Sequence, residues 1–224
     1  MRRNVSMAIA SLLLIGVSAA PSFAKTDKED MQKEVDQATT IIERFREIPE
    51  KSIPESVLKD AKGLAILTVL KAGFIFSGQG GWGVVIARTP HGWSGPSAIG
   101  TGGAGFGFQV GAEVTEFVLV LNTPEAVEAF AHGGNVSFGG ALSAAAGPVG
   151  RTAGASVMPV AAVYTYSRSQ GVFAGASIEG TVIAARDGAN RAYYGREVTP
   201  KQILAGTAKP PKGAAKLAAA LRRY

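Results

Sequence analysis

Between residues 31 and 45 apolar side chains return at intervals of four, three, four and three: Met31, Val35, Ala38, Ile42 and Phe45, with Ile41 beside them. That period sets one apolar stripe along a helix. It predicts a helix over 27–48 that packs onto the rest of the chain. Pro49 ends it, because the residue before a proline is pushed out of helical geometry. A short second helix is expected over Ile53–Lys62. Ser52 and Glu55 have capping-box spacing, Pro54 suits the first turn and Gly63 suits the C-terminal cap.

From Gly63 the pattern changes to short β-type runs broken by turn residues. Leu64–Leu70, Phe74–Phe76, Trp82–Arg88, Phe106–Ala112, Glu116–Leu121, Val160–Arg168, Val172–Ile178 and Thr181–Arg186 read as strands. One helix interrupts them, capped by Asn122 or Thr123, opened by Pro124 and Glu125 and ended by Gly133. After Thr199-Pro200 two short helices follow, separated by Pro210-Pro211, the second carrying Leu217 and Leu221. Strands this dense, with few helices between them, predict an α+β fold: a mainly antiparallel, glycine-rich sandwich or barrel with N-terminal amphipathic helices and a short helical C-terminal tail.

Residues 1–24 read as a secretory signal. Arg2 and Arg3 precede an apolar run from Met7 to Val17, and Ser22-Phe23-Ala24 fits small-residue cleavage. The run is shorter than the roughly 20 residues a membrane helix needs. The expectation is cleavage near Ala24 and a periplasmic or secreted protein. The remaining chain divides into N-terminal helices (25–62), a β-rich body (63–206) and a basic tail (207–224).

Composition changes this picture in two places. The 224 residues include no cysteine, so disulfides, thiolate metal sites and cysteine nucleophiles are excluded. The net charge of +6 suggests an anionic partner, but its location matters more than its size. Residues 25–62 carry eight basic and ten acidic side chains, and residues 63–199 carry seven of each. The excess left after signal removal lies in Lys201, Lys209, Lys212, Lys216, Arg222 and Arg223, with no acid among residues 200–224. Nucleic acid is not expected, because the aromatics sit in the body and the basic excess in the tail. Six cations near an anionic bilayer attract by about 1 kcal/mol each; the alternative is a solvated tail.

No catalytic constellation emerges. Gly100 to Gly105 spell a literal G-x-G-x-x-G, but an alternating strand pattern follows where a dinucleotide site needs a helix. The bare glycine face of 105–111 packs a second sheet or the long helix, or else borders a ligand groove. His91 lies in a turn and His132 at a helix end, so no metal site is expected. Glu113 and Glu116 read as solvent-facing residues at strand ends. No cofactor is implied.

Ala61-Lys-Gly-Leu-Ala-Ile66, Lys71-Ala-Gly-Phe74, Gly81-Trp-Gly-Val-Val85, Trp93-Ser-Gly-Pro96, Phe117-Val-Leu-Val-Leu-Asn122, Ala146-Gly-Pro-Val-Gly-Arg151 and Tyr164-Thr-Tyr-Ser-Arg168 resemble, in order, blocks of the SYLF family. That family is also described as a lipid-binding, Ysc-type actin-binding domain. The resemblance runs over roughly residues 40–206 and implies a non-enzymatic lipid-binding module. Lys62, Lys71, Arg151 and Arg168 lie in or beside matching blocks and are candidates to meet phosphate head groups, together with Lys209, Lys212, Lys216, Arg222 and Arg223 of the tail. Trp82 and Trp93 read as fold determinants, although an exposed tryptophan would suit a lipid interface. The expected partner is an anionic phospholipid or membrane surface. The alternative is a structural or protein-interaction module meeting an envelope protein. In an exported bacterial protein, actin is not an available partner.

Overall fold

The computed structural model describes residues 28–47, 52–132, 136–137, 144–146, 161–171 and 182–222. The signal segment, the strand expected at Val172–Ile178, Arg151 and Arg223 lie outside these residues.

Two strands dominate. β1 (Gly63–Thr89) and β3 (Ser97–Leu121) pair antiparallel from Gly63 opposite Leu121 to Val85 opposite Ser97, with one irregularity between Phe74 and Phe76. A short β2 (Gly92–Trp93) pairs with the end of β1. This long ribbon doubles back on itself. A Cβ at Gly83 would collide with the Ile66 carbonyl oxygen and stand 2.8 Å from Leu67 Cα, and one at Gly63 would stand 2.8 Å from the Ile86 oxygen. The two halves of β1 therefore lie side by side, joined at one end by the Arg88 amide donating to the Lys62 carbonyl at 2.7 Å. Only glycine lets the backbones come this close.

The outer strands pair with the two halves of β3. β6 (Val163–Gly171) runs along 113–121, and β7 (Val182–Ala185) along 99–102. β4 (Val136–Ser137) pairs with β7, and β5 (Ala144–Ala146) runs parallel to β6. The result is one seven-stranded, mainly antiparallel sheet that is not closed into a barrel. The α+β class holds.

Among the described residues, helices rather than a second sheet cover both faces. On one face α1 (Lys28–Glu47), α2 (Glu55–Asp60), α4 (Asp187–Tyr194) and α6 (Ala215–Leu221) pack on Leu64, Ile66, Val84, Ile86, Val118 and Val120. On the other, α3 (Pro124–Ala131) and α5 (Pro200–Leu204) pack on Ala65, Leu67, Val85, Leu119 and Leu121. The signal for this was present: Leu64–Leu67, Val84–Ala87 and Phe117–Leu121 are unbroken apolar runs, which a strand buried on both faces requires.

α1 matches its expectation, with Met31, Val35, Ala38, Ile41, Ile42 and Phe45 all buried. α3 is capped by the Thr123 hydroxyl, and α5 by a full capping box between Thr199 and Gln202. Two local expectations change. α2 starts at Glu55 with Pro54 at its cap position and no side-chain cap, and Gly63 begins β1 instead of ending α2. α4 was not anticipated. It ends at Gly195, whose φ of 67° is left-handed and suits glycine.

Candidate functional site

The expected basic residues separate into two groups. At one end of the sheet Lys62 is exposed and its carbonyl accepts from Arg88. The Arg88 guanidinium lies 4.1 Å from the centre of the Trp93 ring and donates to the Leu58 carbonyl at 3.1 Å. Burial lowers its pKa. The Trp93 indole N–H donates to the Leu221 carbonyl at 3.2 Å, next to the exposed Arg222. Lys62 and the chain's end are thus brought together. Leu217 and Leu221 are buried against the sheet, so α6 and the 3-10 turn before it hold Lys212 and Lys216 outward; Lys209 is also exposed. Trp93 is a fold determinant, as expected.

At the other end, Lys71 sits opposite Glu113 and Arg168 opposite Glu116 in the β-ladder. The two carboxylates are not solvent-facing strand ends. Both lie inside β3 and are buried, at 4% and 5% exposure. Successive strand residues alternate between faces, so the odd and even positions put them on opposite sides of the sheet, where they cannot share a proton. Glu116 is buried because α1 lies over it: Arg44 pairs with its Oε1, and Gln37 donates to the same oxygen at 3.4 Å.

α1 is fixed at its other end too. Arg186 Nη1 lies 2.8 Å from both Glu34 carboxylate oxygens. Burial pushes the Glu34 carboxyl above its ordinary value, and Arg186 partly offsets this. The Tyr193 hydroxyl donates to Gln32 at 3.1 Å, and Gln32 donates on to the Gly213 carbonyl at 3.2 Å. Burial pushes the Tyr193 phenol up to about 12. The apolar stripe of α1 is therefore part of the core and is not displayed on the surface. Between α1 and α6 runs an open groove of about 510 Å³, where Asp36 and Glu43 face Arg46 and Lys216. Its charges balance.

The sequence singled out Trp82 but not its two apolar companions on the surface, Leu70 and Val114. Leu70, Trp82 and Val114 are 44%, 43% and 42% exposed. Trp82 is not a core residue, which corrects its reading as a fold determinant. Its position on the even face of β1, one step beyond α1, decides this. The glycines of 100–105 lie within β3, as the strand pattern required; the side chains of 104–111 lie outside the described residues, and with them the question of a groove there. His91 occupies the β1–β2 turn, and His132 caps α3 beside Glu128 at 3.4 Å. Among the described residues no cluster of three histidine or carboxylate side chains could hold a metal, and no helix is long and apolar enough to cross a membrane.

Comparison with known proteins adds a family. The model of a family described as "Ysc84: Las17-binding protein actin regulator" matches residues 102–224. The chain is similar to "LAS seventeen-binding protein 3" of Saccharomyces cerevisiae, 53% identical over 167 residues that make up 72% of this chain and 36% of the relative. It is also similar to human "SH3 domain-containing YSC84-like protein 1", 46% identical over 190 residues, 81% of this chain and 56% of the relative. The chain thus spans between about a third and somewhat over half of these relatives. The family description and the yeast relative's name refer to binding Las17, and the family description to regulating actin. No solved structure matches the chain.

Proposed function

The chain belongs to the Ysc84 family, and from that premise we propose that it is a non-enzymatic module that docks on an anionic phospholipid surface. One observation carries the reading. Leu217 and Leu221 bury one side of the last helix, which turns Lys212 and Arg222 outward in a segment without an acidic residue, while Lys216 faces the acids of the α1–α6 groove. Lys209 and Lys62 extend the same basic edge. Cations fixed on a seated helix lose less freedom on meeting head groups than cations on a loose tail. The balanced α1–α6 groove and Lys71, set opposite Glu113 in the ladder, fit bulk anion attraction less well.

The same proposal includes export. If residues 1–24 are removed, the module meets lipid in the cell envelope. Mass spectrometry of the purified native protein tests this: a mature chain beginning at Lys25 is expected, and a retained Met1 overturns it.

Lipid docking is tested by flotation with vesicles of phosphatidylcholine alone and with 30% phosphatidylglycerol added. Binding to the anionic vesicles at low salt and its weakening at 0.5 M salt are expected. No flotation with either composition overturns the reading. A second reading, a protein-interaction module, is supported by relatives named for binding Las17. It predicts a crosslinked envelope partner that survives substitution of the tail cations.

A further inference from the structure

Among the described residues the exposed large apolar side chains are Leu70, Trp82 and Val114, and the doubling of β1, which sets Gly81 against the Thr68 oxygen and the Val69 side chain, brings Trp82 near the other two. Leu70 stands directly opposite Val114 in the β1–β3 ladder, and Trp82 stands opposite Gly100. All three occupy even positions, the same face as Val84, Ile66 and Val118. Under α1 that face is closed: Ile66, Val84 and Val118 are fully buried. One step beyond α1 it opens. The odd positions there, Val69, Gly81 and Thr115, remain buried, whereas Leu70, Gly80, Trp82, Ala112 and Val114 are exposed. The Gly80 position has nothing within 4 Å of where a Cβ would be, so the floor between the large side chains is bare. Among the described residues the Trp82 indole N–H has no hydrogen-bond partner.

We propose that this open end of the even face is a second, apolar membrane contact, in which Trp82, Leu70 and Val114 enter the interface between head groups and acyl chains. The inference rests on the lipid reading above and adds a contact that does not depend on the basic tail. Three features select a bilayer. A large apolar patch on a soluble chain marks a contact surface. An indole with an unpartnered N–H beside aliphatic side chains suits the membrane interface, where one end is apolar and the other wet. On the even face the rim carries more cation than anion: Arg44 from α1 and Arg168 from β6 flank the one carboxylate of Glu116, while the buried Glu113 lies on the opposite face. That sign complements anionic head groups and opposes pairing with a second copy, which would set two cationic rims against each other.

The test uses the full chain and its Trp82→Phe variant with phosphatidylglycerol vesicles carrying brominated acyl chains, which quench a buried indole by contact. Quenching of the wild type and its loss in the variant are expected. Trp82→Ser and Leu70→Ser should each lower partitioning at 0.5 M salt by roughly tenfold without shifting the thermal midpoint, since both side chains are exposed. If the wild type floats but the two proteins are quenched equally, the tail reading stands and this inference falls. If the wild type does not float under any salt condition, both fall. If Trp82→Ser converts a dimer to a monomer in sedimentation and leaves flotation unchanged, the patch is a self-association surface and the inference is overturned.

Discussion

Arg186 holds Glu34 through one nitrogen and both carboxylate oxygens, each contact 2.8 Å, with side-chain exposures of only 8% and 10%. The pair joins the N-terminal half of α1 to the turn between β7 and α4, residues 152 positions apart. Its weight in stability is asymmetric. Attraction between two buried charges roughly offsets their desolvation, but removing one partner leaves the other without compensation.

Arg186→Leu is therefore expected to cost about 3–5 kcal/mol at neutral pH, read from urea unfolding. The pH dependence has a definite sign. Burial already raises the folded-state pKa of Glu34, and loss of Arg186 raises it further. The folded state then binds more protons than the unfolded one from about the ordinary carboxyl value upward, so stability falls as pH rises through that window. The variant should recover part of its loss near pH 4.5. An equal loss at pH 4.5 and pH 7.5 contradicts this account.

Gly83 and Gly80 form a controlled pair three residues apart in β1. At Gly83 a Cβ collides with the Ile66 carbonyl, whereas at Gly80 it meets open space. Gly83→Ala should destabilise by at least about 1–3 kcal/mol, because backbone cannot move aside as a side chain can. Gly80→Ala should be neutral or gain up to about 1 kcal/mol from the reduced freedom of the unfolded chain. Thermal midpoints of the two variants measured together decide it.

Asn190 is fully buried in α4; its carbonyl oxygen accepts from the Ala98 amide at 2.7 Å and its amide donates to the Ser97 hydroxyl at 3.2 Å. Asn190→Ala strands the Ala98 amide and should cost about 1–3 kcal/mol. Hydrogen exchange at Ala98 should quicken with it. Unchanged protection there would mean that another acceptor replaces the side chain.

Replacing Lys209, Lys212 and Arg222 by Gln removes three exposed cations at about 1 kcal/mol each on an anionic surface, up to roughly a hundredfold in partitioning at low salt. The difference should shrink at 0.5 M salt, where charges are screened over about 4–5 Å. Leu221→Ala, by contrast, should lower stability by about 2–5 kcal/mol, because its side chain is fully buried. Flotation and calorimetry on both variants separate the charge from its support.

Local chemistry made some elements plain. The 4-3-4-3 spacing of α1, the Thr123-Pro124 start of α3 and the Thr199-Pro200 start of α5 are signals confined to a few consecutive residues, and each element forms where those signals lie. The unbroken apolar runs of 64–67 and 117–121 announced strands but not how far they extend. Phe74–Phe76 and Trp82–Arg88 were separate expectations because glycines punctuate the sequence between them. In the fold they are one strand with Leu64–Leu70, because the ladder to β3 continues through the glycines. α4 was missed because its short polar sequence carries little helical period of its own; its seat against α1 and β3 supplies the stability.

The sequence by itself determined the class, the helix faces, the neutral body and the basic end, because periodicity, capping and charge are properties of neighbours along the chain. Only the tertiary structure decided that Glu113 and Glu116 are buried on opposite faces, that Lys62 and Arg222 share one end of the sheet, and that Trp82 lies outside the core. All three depend on the doubling of β1 and on where α1 comes to rest across it. A helix covers a limited width of sheet: under it an even-numbered Val84 is core, and two residues earlier an even-numbered Trp82 is surface.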